Sequence, residues 1–235
     1  MYIKNFFKII IFKYLICLIV FSLPTLSKVE NKNQEKKLSI IENIDPACKK
    51  ISLTSPNRYE LNNKKIKIVF KNSKKWTKHL LRAKTNLSPN ITQKFKKKFN
   101  AALIVPINSK DSFCKFPAKI RISGDWKDHI ILHKNNNSII SSMDIRLTKD
   151  HIDGIVNFKL FIPKTRNFDN EIITANLMKE LSYLSPRTRY VDVEINKKFY
   201  KFILQEKFNK EFIEDNNFRE SALIGADESL LWNLR

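Results

Sequence analysis

Short stretches of the chain alternate hydrophobic and polar residues, as strands with one buried face do. The clearest are "KIKIVF", "AKIRIS", "SMDIRL", "IVNFKLFI" and "RYVDVEI", and "NAALIVPI" is short and mostly apolar. A return strand, "FYKFILQ", follows the turn Asn196–Lys197, where a type I′ turn would prefer Gly at the second position. The residues predicted to face inward are Ile66, Ile68, Phe70, Ala118, Ile120, Ile122, Met143, Ile145, Leu147, Val156, Phe158, Leu160, Ile162, Val191, Val193 and Ile195.

Two segments near the first predicted strand change to helical spacing. The first, residues 72–84, has Ser73 as a candidate N-cap and an apolar face built around Trp76. The second, residues 88–99, begins with Ser88 as the cap and Pro89 at the first helical position. Its other face is basic and consists of Lys94, Lys96, Lys97 and Lys98.

A third helix is predicted between the strand that ends near Ile162 and the final hairpin. Asp169 or Asn170 can cap it, and Pro186 ends it. Its apolar residues form one stripe that we expect to be buried: Ile173, Leu177, Leu181 and Leu184. A strand, a helix and a hairpin in this order predict an α+β domain, an antiparallel sheet with an inserted helix.

The N-terminus has the pattern of an export signal. Three lysines precede an uninterrupted apolar run, residues 14–21. The run matches a signal-peptide core of about 7–15 residues better than a membrane span of about 20. We expect residues 1–27 to be cleaved after Ser27, to touch the membrane only transiently and to direct the protein to the periplasm or the cell surface. The alternative is an uncleaved membrane anchor, because the cleavage region is irregular.

The rest of the chain divides into a polar linker, residues 28–57, and a domain, residues 58–235. Without the signal, two cysteines remain, Cys48 in the linker and Cys114 in the domain. In an oxidising compartment an even pair predicts a disulfide. The alternative is two buried thiols.

The chain is strongly basic, with 44 Lys and Arg against 23 Asp and Glu and a net charge of +21. One explanation is an AT-rich genome, because the chain is also dense in Asn and Ile. The functional explanation is an anionic partner, such as an envelope component, held by the basic face of residues 94–98. A nucleic acid is not expected as the partner, because export removes the protein from it and the Phe residues fall at core spacing.

Familiar catalytic motifs are missing from the sequence. The three glycines are isolated, which excludes a P-loop, a kinase glycine-rich loop and a nucleophile elbow. A phosphate would therefore have to be held by Lys or Arg side chains or by a helix N-terminus. His129 and His133 are four residues apart near Asp125 and Asp128, but a polar turn explains them better than a metal site. We predict neither a metal site nor a catalytic residue.

Lys159 and Glu180 form a second candidate pair. Lys159 lies in the middle of a predicted strand, on the face opposite Phe158 and Leu160. Glu180 falls on the apolar stripe of the third helix, where a charge would need a partner. Lys159 could be that partner and the pair could position phosphates, as a strand Lys and a helix Glu do in kinases. A structural ion pair with a surface lysine is the alternative.

Three stretches together resemble the CotH family, kinase-like proteins named after spore coat protein H. They are "KIRISGDWKDH", "FKLFIPKTRNFDNEIITANLMKELSYLSPRTRYVDVEIN" and "YKFILQEKF". Residues 121–124 match the family's Arg-x-x-Gly strand end, and residues 185–208 match its hairpin, with Asn196 in the turn and Glu206 at the strand end. The resemblance covers residues 118–210, and Lys197 stands where the family has the turn Gly.

The resemblance implies a divergent kinase-like fold, of which this chain would be the small lobe. It implies binding of ATP and Mg²⁺, with Lys159 on the phosphate side and Glu206 near the hinge, and phosphorylation of a protein substrate outside the cytoplasm. The family's catalytic acids lie in a later, larger lobe, so we expect this chain to be a fragment or an inactive homologue. The alternative function is a non-catalytic envelope or cell-surface module that binds an anionic polymer or a protein.

Overall fold

The computed structural model describes residues 65–106, 113–133, 138–219 and 222–223. They belong to the second of two compact units, Asp45–Arg235. The helices are α1 Ser73–Thr85, α2 Asn170–Glu180 and α3 Lys210–Asp215. The strands are β1 Ile66–Phe70, β2 Phe99–Pro106, β3 Phe113–Ile122, β4 Ile130–His133, β5 Ser138–Ser141, β6 Met143–Leu147, β7 Asn157–Phe161, β8 Thr188–Ile195 and β9 Lys198–Glu206.

Seven strands close into a barrel in the order β1–β2–β3–β6–β7–β9–β8. Six of the seven strand pairs are antiparallel. The barrel closes where β1 runs parallel to β8, and Ile66 pairs with Val193 there. An ion pair of 3.0 Å between Lys67 and Glu194 crosses the outside of this seam. β4 and β5 form a separate two-stranded sheet.

The interior of the barrel is apolar because every second residue of each strand points inward. The alternating residues predicted from the sequence are buried, with Ile66, Ile120, Ile145 and Leu160 fully so, except Val156, which is half-buried. The hairpin of β8 and β9 is also confirmed. Its turn residues Asn196 and Lys197 have φ of 52° and 64°, the left-handed values that a type I′ turn requires.

The predicted α+β class is wrong. α2 does lie between β7 and β8 in the chain, but the strands form a closed barrel with few helices rather than the open sheet of a kinase-like small lobe. Alternation shows which face of a strand is buried and leaves its neighbours unspecified. The closing contact is a parallel pair between the first strand and the eighth, and no local pattern reports it.

α1 begins one residue earlier than predicted. Asn72, not Ser73, is the N-cap, and its side-chain oxygen accepts a 2.8 Å hydrogen bond from the backbone N–H of Lys75. Trp76 is buried as expected and stacks on Phe70 of β1, with the ring centroids 4.6 Å apart. This contact holds α1 against the barrel.

The predicted helix over residues 88–99 is wrong. Only one turn of 3-10 helix forms there, Gln93–Phe95, and Phe99 is the first residue of β2. β2 pairs with β3 over its whole length, starting with Phe99 opposite Ile120. Earlier in the segment, Asn90 forms an isolated β-bridge with Trp126, and the backbone N–H of Ile91 donates a 2.6 Å hydrogen bond to the carbonyl of Asp125, so tertiary contacts override the local helical spacing.

The N-terminal segment and Cys48 lie outside the described residues. Cys114 is buried, and its predicted bridge to Cys48 stays a prediction. Among the described residues, no helix combines the length and the apolar character that crossing a membrane requires.

Candidate functional site

A row of polar residues crosses the outer wall of the barrel. The strand registers place Arg121 of β3 beside Asp144 of β6, Asp144 beside Lys159 of β7, and Lys159 beside Gln205 of β9. They face outward because the residues on either side of them in the strands, such as Ile120 and Ile122 beside Arg121, point into the interior. Four strands that are distant in sequence therefore bring charged groups together.

Asp144 is the acidic centre of this row. It is buried, and one of its oxygens accepts hydrogen bonds of 2.9 and 2.6 Å from Nε and an Nη of Arg121. Lys207, just beyond β9, lies 3.3 Å from the same oxygen. Two cations already neutralise this carboxylate.

Lys159 is the unusual member of the row. No carboxylate in the described residues lies within ion-pair distance of its Nζ, which is 5.6 Å from the centre of the Phe161 ring. Burial, the larger cause, lowers the pKa of Lys159, Asp144 raises it, and Lys207, Arg166 and Arg121 lower it further. Asp144 favours the charged form of Lys159, but this carboxylate is already paired with Arg121 and Lys207.

Arg166 adds the fourth cation from the short 3-10 helix Pro163–Arg166 that follows β7. Its guanidinium lies 4.0 Å from the Phe161 ring centre, a favourable cation–π distance. Its Nε is buried and makes no hydrogen bond within the described part of the chain. We call Arg121, Asp144, Lys159, Arg166 and Lys207 the Lys159 cluster; it carries four positive groups and one carboxylate.

An open cleft of about 470 Å³ adjoins the Lys159 cluster. Its walls are the 3-10 helix, α2, the segment before β8 and the end of β9. Arg166 and Gln205 line it and connect it to the cluster. Its volume is within the usual range for small-molecule sites, about 300–1,000 Å³.

Glu180 does not lie where the sequence predicted. It is exposed at the last turn of α2, and among the described residues it makes no ion pair with Lys159. The apolar stripe is exposed as well, with Ile173, Leu177 and Leu181 each more than half exposed. The predicted burial of this stripe is wrong, because α2 turns Ala175 rather than its large apolar residues toward the barrel.

Glu206 is buried and already paired. Arg187 donates to both of its oxygens, at 2.7 Å each, and also to Asp215 of α3 at 3.0 Å. A third contact joins Arg187 to the backbone carbonyl of Asp153. This network fixes α3 and the loop before β7 to the barrel wall, so Glu206 has a structural role here.

The four lysines predicted to hold an anionic partner do not share one environment. Lys94, Lys97 and Lys98 are exposed. Lys96 instead donates to the carbonyl of Gly124 and pairs with Asp125 at 3.1 Å. These lysines do not form one helical face, and their binding of an anion stays a prediction.

The two histidines serve the fold. His129 is buried, and its Nδ1 lies 3.0 Å from the Oγ of Ser142. His133 ends β4 and lies 5.8 Å from the ring of Tyr200. No group of three or more His, Cys, Asp or Glu side chains in the described ranges could hold a metal ion.

No protein-family model matches this chain. A search of curated proteins also gives no match. The CotH resemblance therefore rests on the quoted motifs alone. Of the three predicted nucleotide-binding residues, the structure brings Lys159 to a cationic site and places Glu180 and Glu206 elsewhere.

The sequence reasoning missed most of the cluster. Arg121 was noted only as a strand end, and Asp144, Arg166 and Lys207 were not singled out. The registers β3–β6–β7–β9 bring them together. The outward positions of the predicted strands, which carry Arg121, Asp144 and Lys159, were the signal that could have found three of them.

Proposed function

We propose that this protein binds a phosphate-bearing ligand at the Lys159 cluster, in the compartment to which its N-terminal segment directs it. The supporting observation is a half-buried Lys159 that has no carboxylate partner among the described residues and three other cations around it. A bound phosphate would supply the missing negative charge and accept charge-assisted hydrogen bonds from Lys159 and Arg166.

Two further observations support an anion at this place. The site is partly sheltered, so its electrostatic attraction exceeds that of fully exposed lysines. The guanidinium of Arg166 lies over the ring of Phe161, and this contact orders it before a ligand arrives. ATP, the ligand that the CotH resemblance implies, is one member of the proposed ligand class.

The test is calorimetric titration of the full chain with pyrophosphate at low and at physiological salt. We expect saturable binding that Lys159→Ala weakens about 10- to 100-fold, since a hydrogen bond to a charged group contributes about 1.5–3 kcal/mol. Lys119→Ala is the matched control, because Lys119 is exposed on β3 of the same barrel. Equal affinities of the two variants, or no binding by the unchanged protein, would refute the proposal.

Lys159→Met provides a second readout that guards against misfolding. An uncompensated, half-buried charge destabilises the folded state, so this variant should unfold at a higher urea concentration than the unchanged protein while binding less pyrophosphate. A variant that lost both stability and binding would indicate a structural role for Lys159 instead.

A further inference from the structure

Six of the residues that line the cleft beside the Lys159 cluster carry neutral hydrogen-bonding side chains. Asn167, Asn170 and Thr174 line it, and in the described part of the chain their side chains make no hydrogen bond. Each amide offers both a donor and an acceptor, and the threonine hydroxyl offers the same. These groups are free to bind a ligand that is rich in hydroxyl groups.

A second pair of polar groups, which joins α2 to β9, is already oriented. Gln205 Nε2 donates a 2.6 Å hydrogen bond to Glu171 Oε1. This contact fixes both side chains and leaves the other Glu171 oxygen and the Gln205 carbonyl as acceptors. Hydroxyl groups are donors that such acceptors can bind.

Five apolar residues line the cleft, and only one of them is aromatic: Ala175, Met178, Leu184, Pro186 and Phe208. Phe208 is 54% exposed there, and Met178 lies in the wall formed by α2. One exposed ring suits the C–H face of a sugar. A nucleobase would favour stacking between aromatic or apolar side chains.

The backbone at the mouth of the cleft is strained. Asn167 and Phe168 both have left-handed backbone, with φ of 48° and 57°, and a bulky residue such as Phe rarely adopts it. Strained residues concentrate at ligand-binding sites, where the rest of the structure maintains them. This turn places Asn167 next to Arg166 in the lining of the cleft.

We propose that the ligand is a sugar phosphate, with its phosphate on Lys159 and Arg166 and its hydroxyl groups on Asn167, Asn170 and Thr174. This inference rests on the proposed phosphate-binding function and adds the ligand class. The same chemistry occurs in a soluble hexose phosphate and in a phosphorylated polysaccharide of a cell envelope.

The experiment compares inorganic phosphate, glucose, glucose 6-phosphate, phosphomannan and ATP as ligands of the full chain. We expect glucose 6-phosphate to bind at least about tenfold more tightly than inorganic phosphate, because its hydroxyl groups add hydrogen bonds that inorganic phosphate cannot make. If phosphomannan bound more tightly than glucose 6-phosphate, the natural ligand would be a phosphorylated polysaccharide. If glucose 6-phosphate bound more tightly than phosphomannan, the natural ligand would be a soluble sugar phosphate. Either result supports the inference.

Two variants separate the phosphate contacts from the sugar contacts. Asn170→Ala should lower the affinity for glucose 6-phosphate about three- to tenfold and leave the affinity for inorganic phosphate unchanged. Lys159→Ala should lower the affinity for both. Asn100→Ala is the control, because Asn100 is exposed on β2 and does not line the cleft.

Three outcomes would overturn the inference. Phosphate binding that depends on Lys159 but gains nothing from the sugar would leave the proposed function standing and refute the ligand class. ATP binding that is tighter than that of glucose 6-phosphate and depends on Asn170 would assign the cleft to a nucleoside. If no phosphate compound bound, both proposals would fail.

Discussion

At the scale of single residues, Gly124 and His129 fit closely together. A Cβ atom on Gly124 would lie 2.0 Å from the imidazole ring, and φ of Gly124 is +88°. Ser142 Oγ, which lies by the ring's Nδ1, also accepts a 3.1 Å hydrogen bond from the backbone N–H of Ile162. His129 therefore joins the turn after β3 to the loop before β6 and the end of β7.

The stability of the protein should fall as the pH drops below about 6.5, the ordinary histidine value. Burial is the main cause that lowers the pKa of His129; Arg166 and Lys96 lower it further, and Asp128 and Asp125 act in the opposite direction. The unfolded chain then takes up a proton at a pH where the folded protein does not, which favours unfolding.

Urea unfolding at pH 7 and pH 5 measures this effect. His129→Gln should lose less stability between the two values than the unchanged protein does. Asn100→Gln, at an exposed position whose side chain does not titrate, should lose as much as the unchanged protein. If His129→Gln kept the full pH dependence, another group would be its source.

The sequence identified Lys159 but not its surroundings. Its position in the middle of a strand followed from alternation, whereas Asp144 and Arg121 meet it only through the strand registers. Glu180 was misplaced for a related reason. Spacing shows that residues share a helix face, but the direction of that face depends on the packing of the helix.

At the scale of elements, α2 is the least expected part of the fold. Its periodic apolar residues predicted a helix, and a helix forms over Asn170–Glu180. Its large apolar residues face solvent, however, and Ala175 is its one buried residue. A helix held mainly by small and polar contacts contributes little burial of apolar area to the stability of the barrel.

Replacing Leu177 by Ala should change the free energy of unfolding by no more than about 0.5 kcal/mol, because this side chain is 56% exposed. Leu160→Ala, inside the barrel, should lower it by about 2–5 kcal/mol. Chemical denaturation of the two variants measures both values. A large loss for Leu177→Ala would mean that another surface covers α2 in solution.

At the scale of the whole molecule, the closed barrel could not be predicted from the sequence patterns. The strands and their inward faces followed from period-two patterns, and the hairpin followed from its turn. Closure depends on the pairing of β1 with β8, which comes more than 100 residues later in the sequence. Twist and stagger summed over all seven strands decide this, and no single segment encodes either.

The predicted bridge between Cys48 and Cys114 would fasten the polar linker to β3. Intact mass measured before and after reduction tests it: a gain of about two mass units indicates one disulfide. Peptide mapping of the unreduced protein should then recover Cys48 linked to Cys114. An unchanged mass, or a bridge to another cysteine, would contradict the prediction.

The parallel seam between β1 and β8 also sets the order in which the molecule can be completed. A chain that emerges N-terminus first, from a ribosome or a secretion channel, presents β1 long before β8. Until β8 arrives, β1 can pair on one side only, with β2. Its other edge is meanwhile open to strands of other chains. That interval is when a holdase chaperone would protect this protein most, and the interval ends when the hairpin of β8 and β9 has emerged.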